Sequence, residues 1–157
     1  MRVLFICHGN ICRSPMAERV ARSHAGRDGL DDVEFTSAGV SAEELGNPID
    51  RRAARVLTDA GYDATHHRAH QVTADEIRAA DLVLAAEPHH VDRMRRLVPD
   101  ADNLGLISDY DPQAQPGDGL PDPWYGGMEG FHATLAAVER AMPALFDELR
   151  RRGAGTR

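Results

Sequence analysis

Lysine is missing altogether: the eighteen basic residues are all arginine. That absence excludes a Walker-type phosphate loop, which needs its Lys, and any chemistry that runs through a lysine Schiff base. Cysteine occurs only at Cys7 and Cys12. Two thiols so close together cannot staple a secreted fold, though they can form one local redox pair. No apolar run approaches the roughly 18 residues of a membrane span, and Arg2 leads into a strand pattern rather than a signal-peptide core. A cytoplasmic protein with no membrane partner is therefore expected. The net charge of -7 argues against a general nucleic-acid binder, because a phosphate backbone demands a basic face. Anion binding, if present, has to be local.

What is present is the pattern of one α/β domain over residues 1–157, a length close to the common domain size of about 100–150 residues. Short apolar runs at 3–7, 33–39, 81–87 and 103–108 are bounded by Gly, Pro or Asp and read as strands buried on both faces. Helical patterns alternate with them: Met16, Ala17, Val20 and Ala21; Ala53, Val56, Leu57 and Ala60; Val91, Met94, Leu97 and Val98. The alternation predicts a three-layer sandwich, a doubly wound four-stranded parallel sheet with helices on both faces. Thr73 and Glu76 suit a capping box on a short extra helix. A last helix is expected over 128–150, bent or broken at Pro143. The Pro/Gly-rich stretch 111–123 reads as a long functional loop, and the tail 151–157 as frayed.

In such a sheet ligands bind beyond the carboxyl ends of the strands, and Cys7 stands at the end of the first one. Taken alone, a strand-end cysteine is a small core residue. The next eight residues, "HGNICRSP", change that reading. Ser14 as cap and Pro15 in the first turn place His8, Gly9, Asn10, Ile11, Cys12, Arg13 and Ser14 at a helix N-terminus, where free N–H groups converge into an anion nest. Gly9 permits a close turn, and Asn10 tolerates a left-handed conformation. The same field favours the thiolate of Cys7 over its thiol. The planar fork of Arg13 can take two equatorial oxygens of a phosphoryl group and follow them into the transition state.

"CHGNICRSP" closely resembles the phosphate loop of the low-molecular-weight protein tyrosine phosphatases, and "DPWYGG" at 122–127 resembles that family's acid loop. The similarity extends to "SAG" (37–39), "GNP" (46–48), "HHRAHQ" (66–71) and "YDP" (110–112). The resemblance implies that phosphotyrosine-containing proteins are the substrates and inorganic phosphate a product. It implies Cys7 as nucleophile, Arg13 as phosphate clamp, Ser14 as the hydroxyl that stabilises the departing thiolate, and Asp122 as general acid and base. The chemistry agrees with those roles: a phenol of pKa about 10 leaves far better neutral than as an anion, so an acid is needed opposite the nucleophile. No cofactor and no metal is expected. The resemblance further implies a network of Asn10, Ser14, Ser37 and His67 that shapes the loop.

Trp124 and Tyr125 are read as one wall of a slot for a phenyl ring. Glu43 and Glu44 stand on the opposite wall, where the resemblance leads one to expect an aromatic, and they should attract basic residues near the phosphotyrosine. Cys12 keeps two readings, packing beneath the loop or capturing an oxidised Cys7 as a disulfide. His66, His67 and His70 form an HHxxH run that lacks a carboxylate or cysteine at ligand spacing, and neither these three nor the pair His89 and His90 are read as metal ligands. Glu87 replaces the Asp that the resemblance leads one to expect. A monomer is expected, with a weak dimer through the aromatic rim left open. The rival readings are an arsenate reductase of this fold, which would need further cysteines downstream, a phosphoarginine phosphatase, which would carry Thr at position 11, and a silent phosphotyrosine-binding module, which would not need Asp122.

Overall fold

The computed structural model describes residues 1–155. In chain order the elements are β1 (Arg2–Cys7), α1 (Arg13–Arg27), β2 (Glu34–Gly39), α2 (Arg51–Asp59), α3 (Ala74–Ala79), β3 (Leu82–Ala85), α4 (Pro88–Leu97), β4 (Leu104–Leu106) and α5 (Met128–Arg151). The strands form one parallel sheet in the order β2-β1-β3-β4. That order reverses direction at β1, so the crevice for a ligand opens between the ends of β1 and β3.

Alternation along β1 divides the core into two layers. Val3, Phe5 and Cys7 face Met16 and Val20 of α1, Val56 and Leu57 of α2, and Phe131, Val138, Met142, Leu145 and Phe146 of α5. Leu4 and Ile6 face Ile77 of α3 and Met94 of α4. Phe5 stacks on Phe35 at 6.2 Å between ring centres, and Phe146 meets Phe35 in a tilted arrangement at 6.1 Å. Phe131 is wholly buried, and truncating such a side chain to alanine costs about 3–5 kcal/mol. This layer also carries Cys7, so the strand that positions the thiol is fixed by the larger half of the core.

The capping box at α3 is present, with Glu76 N–H donating to Thr73 Oγ1 and Thr73 N–H to Glu76 Oε1, both at 3.1 Å. Four details depart from the sequence expectations. Cys12, not Ser14, occupies the cap position of α1, and no side chain caps it, because the Ser14 hydroxyl is turned toward Cys7. Only three residues of the 103–108 run pair with β3; the Asp109 carboxylate accepts the Leu106 N–H at 2.9 Å and turns the chain into a 3-10 helix over Ile107–Tyr110. Helix α5 runs unbroken through Pro143. Pro143 lies on the exposed face while Met142, Leu145 and Phe146 are buried around it, so solvent can serve the freed carbonyl and packing holds both halves in line. Finally, the tail is docked as far as residue 155: Ala154 is 2% exposed and Gly155 N–H donates to Asp32 at 3.0 Å. Residues 156–157 of the expected frayed tail lie outside the described residues.

Candidate active site

The turn from β1 to α1 closes on itself because its carbonyls are engaged from outside. Val40 N–H donates to Cys7 O, Ser41 N–H to His8 O, Asp50 N–H to Ile11 O and Met16 N–H to Cys12 O, at 2.8–3.1 Å. His67 Nε2–H donates to Asn10 O at 2.6 Å. With the carbonyls occupied on the outer side, the loop's N–H groups are left for the hollow, the arrangement of an anion nest. Asn10 adopts φ 61°, a left-handed turn that Asn accepts more readily than most residues. Gly39 at the end of β2 supports the loop from beneath: a Cβ there would stand 2.7 Å from His8 O and 3.1 Å from Asn10 N. Only glycine lets the loop sit this close.

Inside this frame Cys7 Sγ and Ser14 Oγ lie 3.0 Å apart. Asn10 Nδ2 donates to Ser14 Oγ at 2.9 Å and to Ser37 Oγ at 3.0 Å. Ser37 Oγ donates to the buried Glu18 at 3.1 Å, and Glu18 is paired with Arg19 at 2.9 Å. The four network residues implied by the resemblance are thus brought together, and the chain of bonds ends on a buried ion pair that sequence reasoning misses. Its trace in the sequence is faint, an adjacent Glu-Arg in an otherwise apolar helical face. His67 is held neutral because burial pulls its pKa down more than the bond to Asn10 raises it. A neutral imidazole suits the single donor role its Nε2 plays here.

Arg13 is almost wholly buried, its side chain 3% exposed. Its Nη1 donates to Glu87 Oε2 at 2.8 Å and to Leu120 O at 2.7 Å. Sequence reasoning finds neither partner; it marks Glu87 as a departure from the family pattern but gives it no role. Burial would raise the Glu87 carboxyl, but the bond and charge of Arg13 outweigh it and hold the pKa below the ordinary value. Leu120 belongs to the 111–123 loop, which Arg140 anchors by two 3.0 Å bonds to Asp111. Gly119 packs against the end of β3, where a Cβ would lie 2.9 Å from Ala86 O. The loop then delivers Asp122, whose Oδ1 accepts Trp124 N–H at 3.0 Å and whose Oδ2 lies 3.9 Å from Arg13 Nη2.

These groups line a cavity of about 210 Å³ bounded by Cys7, His8, Gly9, Ile11, Cys12, Arg13, Glu43, Glu44, Asp122, Trp124 and Tyr125. Glu43 Oε2 reaches His8 Nε2 at 3.1 Å, and Glu44 packs over Gly9. Cys12 is buried beneath the hollow, and burial, with Asp50 and Cys7 adding to it, pushes its thiol well above the ordinary range.

The pair His89 and His90 has a carboxylate beside it: Glu87, His89 and His90 bring ligand atoms within 4.8 Å of one another. The set fits a cation poorly. Glu87 Oε2 already holds a guanidinium, and His90 Nδ1 accepts Glu87 N–H at 3.2 Å, which leaves the proton on Nε2 and removes that nitrogen's lone pair. Its pKa is pulled down to about 3, by burial first and then by Arg13.

A model of the family "Low molecular weight phosphotyrosine protein phosphatase" matches residues 2–154. A low-molecular-weight protein-tyrosine-phosphatase of Streptomyces coelicolor is 42% identical over 95% of this chain and 93% of its own. The low-molecular-weight protein-tyrosine phosphatase A of Mycobacterium bovis is 39% identical over 94% and 90%. Among solved structures, a protein tyrosine phosphatase of Entamoeba histolytica with Hepes in its active site superposes with a TM-score of 0.90 at 27% identity, covering 96% of this chain and 97% of that one.

Proposed function

The chain belongs to the low-molecular-weight phosphotyrosine protein phosphatase family, and from that premise we propose that it hydrolyses phosphotyrosine in proteins through a cysteinyl phosphate. The observation that carries the reading is the meeting of Cys7, Arg13 and Asp122 in one cavity. Cys7 Sγ attacks phosphorus from the floor of the nest, and Ser14 Oγ, 3.0 Å away, stabilises sulfur as a nucleophile and later as a leaving group. Arg13, held through Nη1, keeps its Nη2 edge for the equatorial oxygens, whose charge it stabilises in the transition state. Asp122 protonates the phenolic oxygen. As carboxylate it then takes a proton from the water that attacks the phosphocysteine, releasing inorganic phosphate and free thiol. Every electron pair moves between oxygen, phosphorus and sulfur, so the cycle needs no external oxidant, and Arg13 with the nest supplies the positive charge that the phosphoryl oxygens need.

Ile11 and Trp124 give the cavity an apolar lining suited to a phenyl ring. Both cysteines are free, which suits a reducing cytoplasm, and no helix among the described residues is long and apolar enough to cross a membrane. One copy supplies nest, clamp and acid, so the reaction as proposed needs no residue from a second copy. The test is a panel of phosphotyrosine, phosphoserine, phosphoarginine and arsenate, with and without chelator and with Cys7→Ser as control. Chelator-resistant hydrolysis of phosphotyrosine, lost in Cys7→Ser, is expected. Hydrolysis that survived Cys7→Ser would remove the covalent mechanism.

A further inference from the structure

We infer that the rim of the cavity is charge-polarised and selects phosphotyrosine peptides with basic residues on one side of the phosphotyrosine and acidic residues on the other. The inference deepens the proposed phosphatase reading and rests on it. Glu43 and Glu44 enter the cavity from the loop after β2, Glu43 exposed and Glu44 half-buried. Among the described residues the Glu43 carboxylate pairs only with His8 Nε2, at 3.1 Å, and the Glu44 carboxylate accepts only from Asn47 Nδ2, at 2.6 Å. Trp124, which lines this cavity from the loop before α5, is packed against Arg52, and Arg52 lines a second depression with Asp50, Arg51, Arg55 and Met128.

The Arg52 guanidinium lies 5.0 Å from the Trp124 ring and 4.6 Å from the Phe131 ring, and donates to Trp124 O at 3.0 Å. Asp50 neutralises much of that charge at 3.2 Å. Arg51 is exposed, and Arg55, 77% exposed, has among the described residues only a 3.8 Å ionic contact, to the exposed Asp59. Those two are left to act on a ligand. A peptide laid across the cavity with its phosphotyrosine inserted would meet carboxylates on the β2 side and guanidinium groups beyond Trp124. Exposed pairs of this kind act mainly on encounter and orientation, and are screened within about 8 Å at physiological salt.

Two phosphotyrosine peptides of identical composition test this, one with two arginines before and two glutamates after the phosphotyrosine, the other with the order reversed. At low ionic strength kcat/KM should differ between them by about twofold to fivefold for each side engaged, from the usual strength of exposed pairs, and the difference should shrink as salt rises. Each protein's peptide rates are divided by its own rate on p-nitrophenyl phosphate, which has no flanks. Glu43→Gln/Glu44→Gln and Arg51→Gln/Arg55→Gln should each reduce the discrimination. Equal rates for the two orders, discrimination that survives either double variant, or a preference that does not fall with salt would each overturn the polarised rim. Failure of the wild type to hydrolyse p-nitrophenyl phosphate would instead remove the phosphatase reading beneath it.

Discussion

Replacing Glu87 with glutamine should disable the phosphate clamp while leaving the phosphate loop intact. Arg13 Nη1 has two partners, Glu87 Oε2 at 2.8 Å and Leu120 O at 2.7 Å, and only the first carries charge. Glutamine can still accept a bond, so the loss is the charge-assisted part of a contact between a 3% exposed guanidinium and a 28% exposed carboxylate. Fully buried pairs broken on one side lose about 3–5 kcal/mol. Solvent at Glu87 lowers that toward the roughly 1.5–3 kcal/mol of a hydrogen bond to a charged group. If that energy is what keeps Nη2 aimed at the phosphoryl oxygens, kcat falls about 10- to 100-fold at 1.36 kcal/mol per decade. Glu87→Asp keeps the charge one methylene short of the guanidinium and should fall between the two. Initial rates on phosphotyrosine and on p-nitrophenyl phosphate measure this, and both should drop by the same factor because Arg13 touches the group they share. A Glu87→Gln enzyme within twofold of wild-type kcat, with unchanged melting temperature, would refute the reasoning.

Asp122→Ala should cost about 10²–10⁴ in kcat on phosphotyrosine and distinctly less on substrates whose leaving groups are more acidic; equal losses would give Asp122 a structural part only. Because burial pushes the Cys12 thiol up, its attack on peroxide-oxidised Cys7 should speed up as pH rises from 7 to 9, read as thiol-reversible disulfide by mass. Recovery identical in Cys12→Ser would leave Cys12 as packing. His90, buried with its pKa pulled down to about 3, contributes stability that is present above the unfolded value of about 6.5 and lost as pH falls from there toward 3. The melting temperature of His90→Asn should therefore fall less steeply than wild type over that window, and parallel slopes would contradict the assignment.

The parts legible in the sequence are those whose requirements are local. A strand ending at Cys7, a turn with Asn10 able to go left-handed, and Pro15 in the first turn of α1 all act within about ten residues, so their order in the chain is enough to place the nest. Alternating apolar runs reveal the layers for the same reason. The misses are of two kinds. Ser commonly caps helices, which makes Ser14 the natural cap of α1, but its hydroxyl faces Cys7 and Asn10 instead, a choice that depends on β1 lying alongside. Isolated helices break at an internal proline, whereas α5 continues through Pro143 because it packs Met142, Leu145 and Phe146 into the core on either side.

What stays invisible in the sequence comes from distant residues that meet only in the fold. Glu87 lies 74 positions from Arg13 and Leu120 lies 107, and neither residue type by itself announces an arginine partner. Their joint effect explains why the loop 111–123 is long and yet anchored. The Leu120 carbonyl and the Asp122 carboxylate must both reach Arg13 from the same segment, one to hold the guanidinium and the other to stand beside it. The Asp111–Arg140 pair and the close approach at Gly119 fix the ends of that reach. Clamp and acid are therefore one mechanical unit, and shortening the loop between Asp111 and Gly119 should damage Arg13 and Asp122 together. That damage would appear as a fall in kcat on good and poor leaving groups alike, added to a steeper dependence on leaving-group acidity. If only the second effect appeared, Leu120 would have no share in holding the clamp.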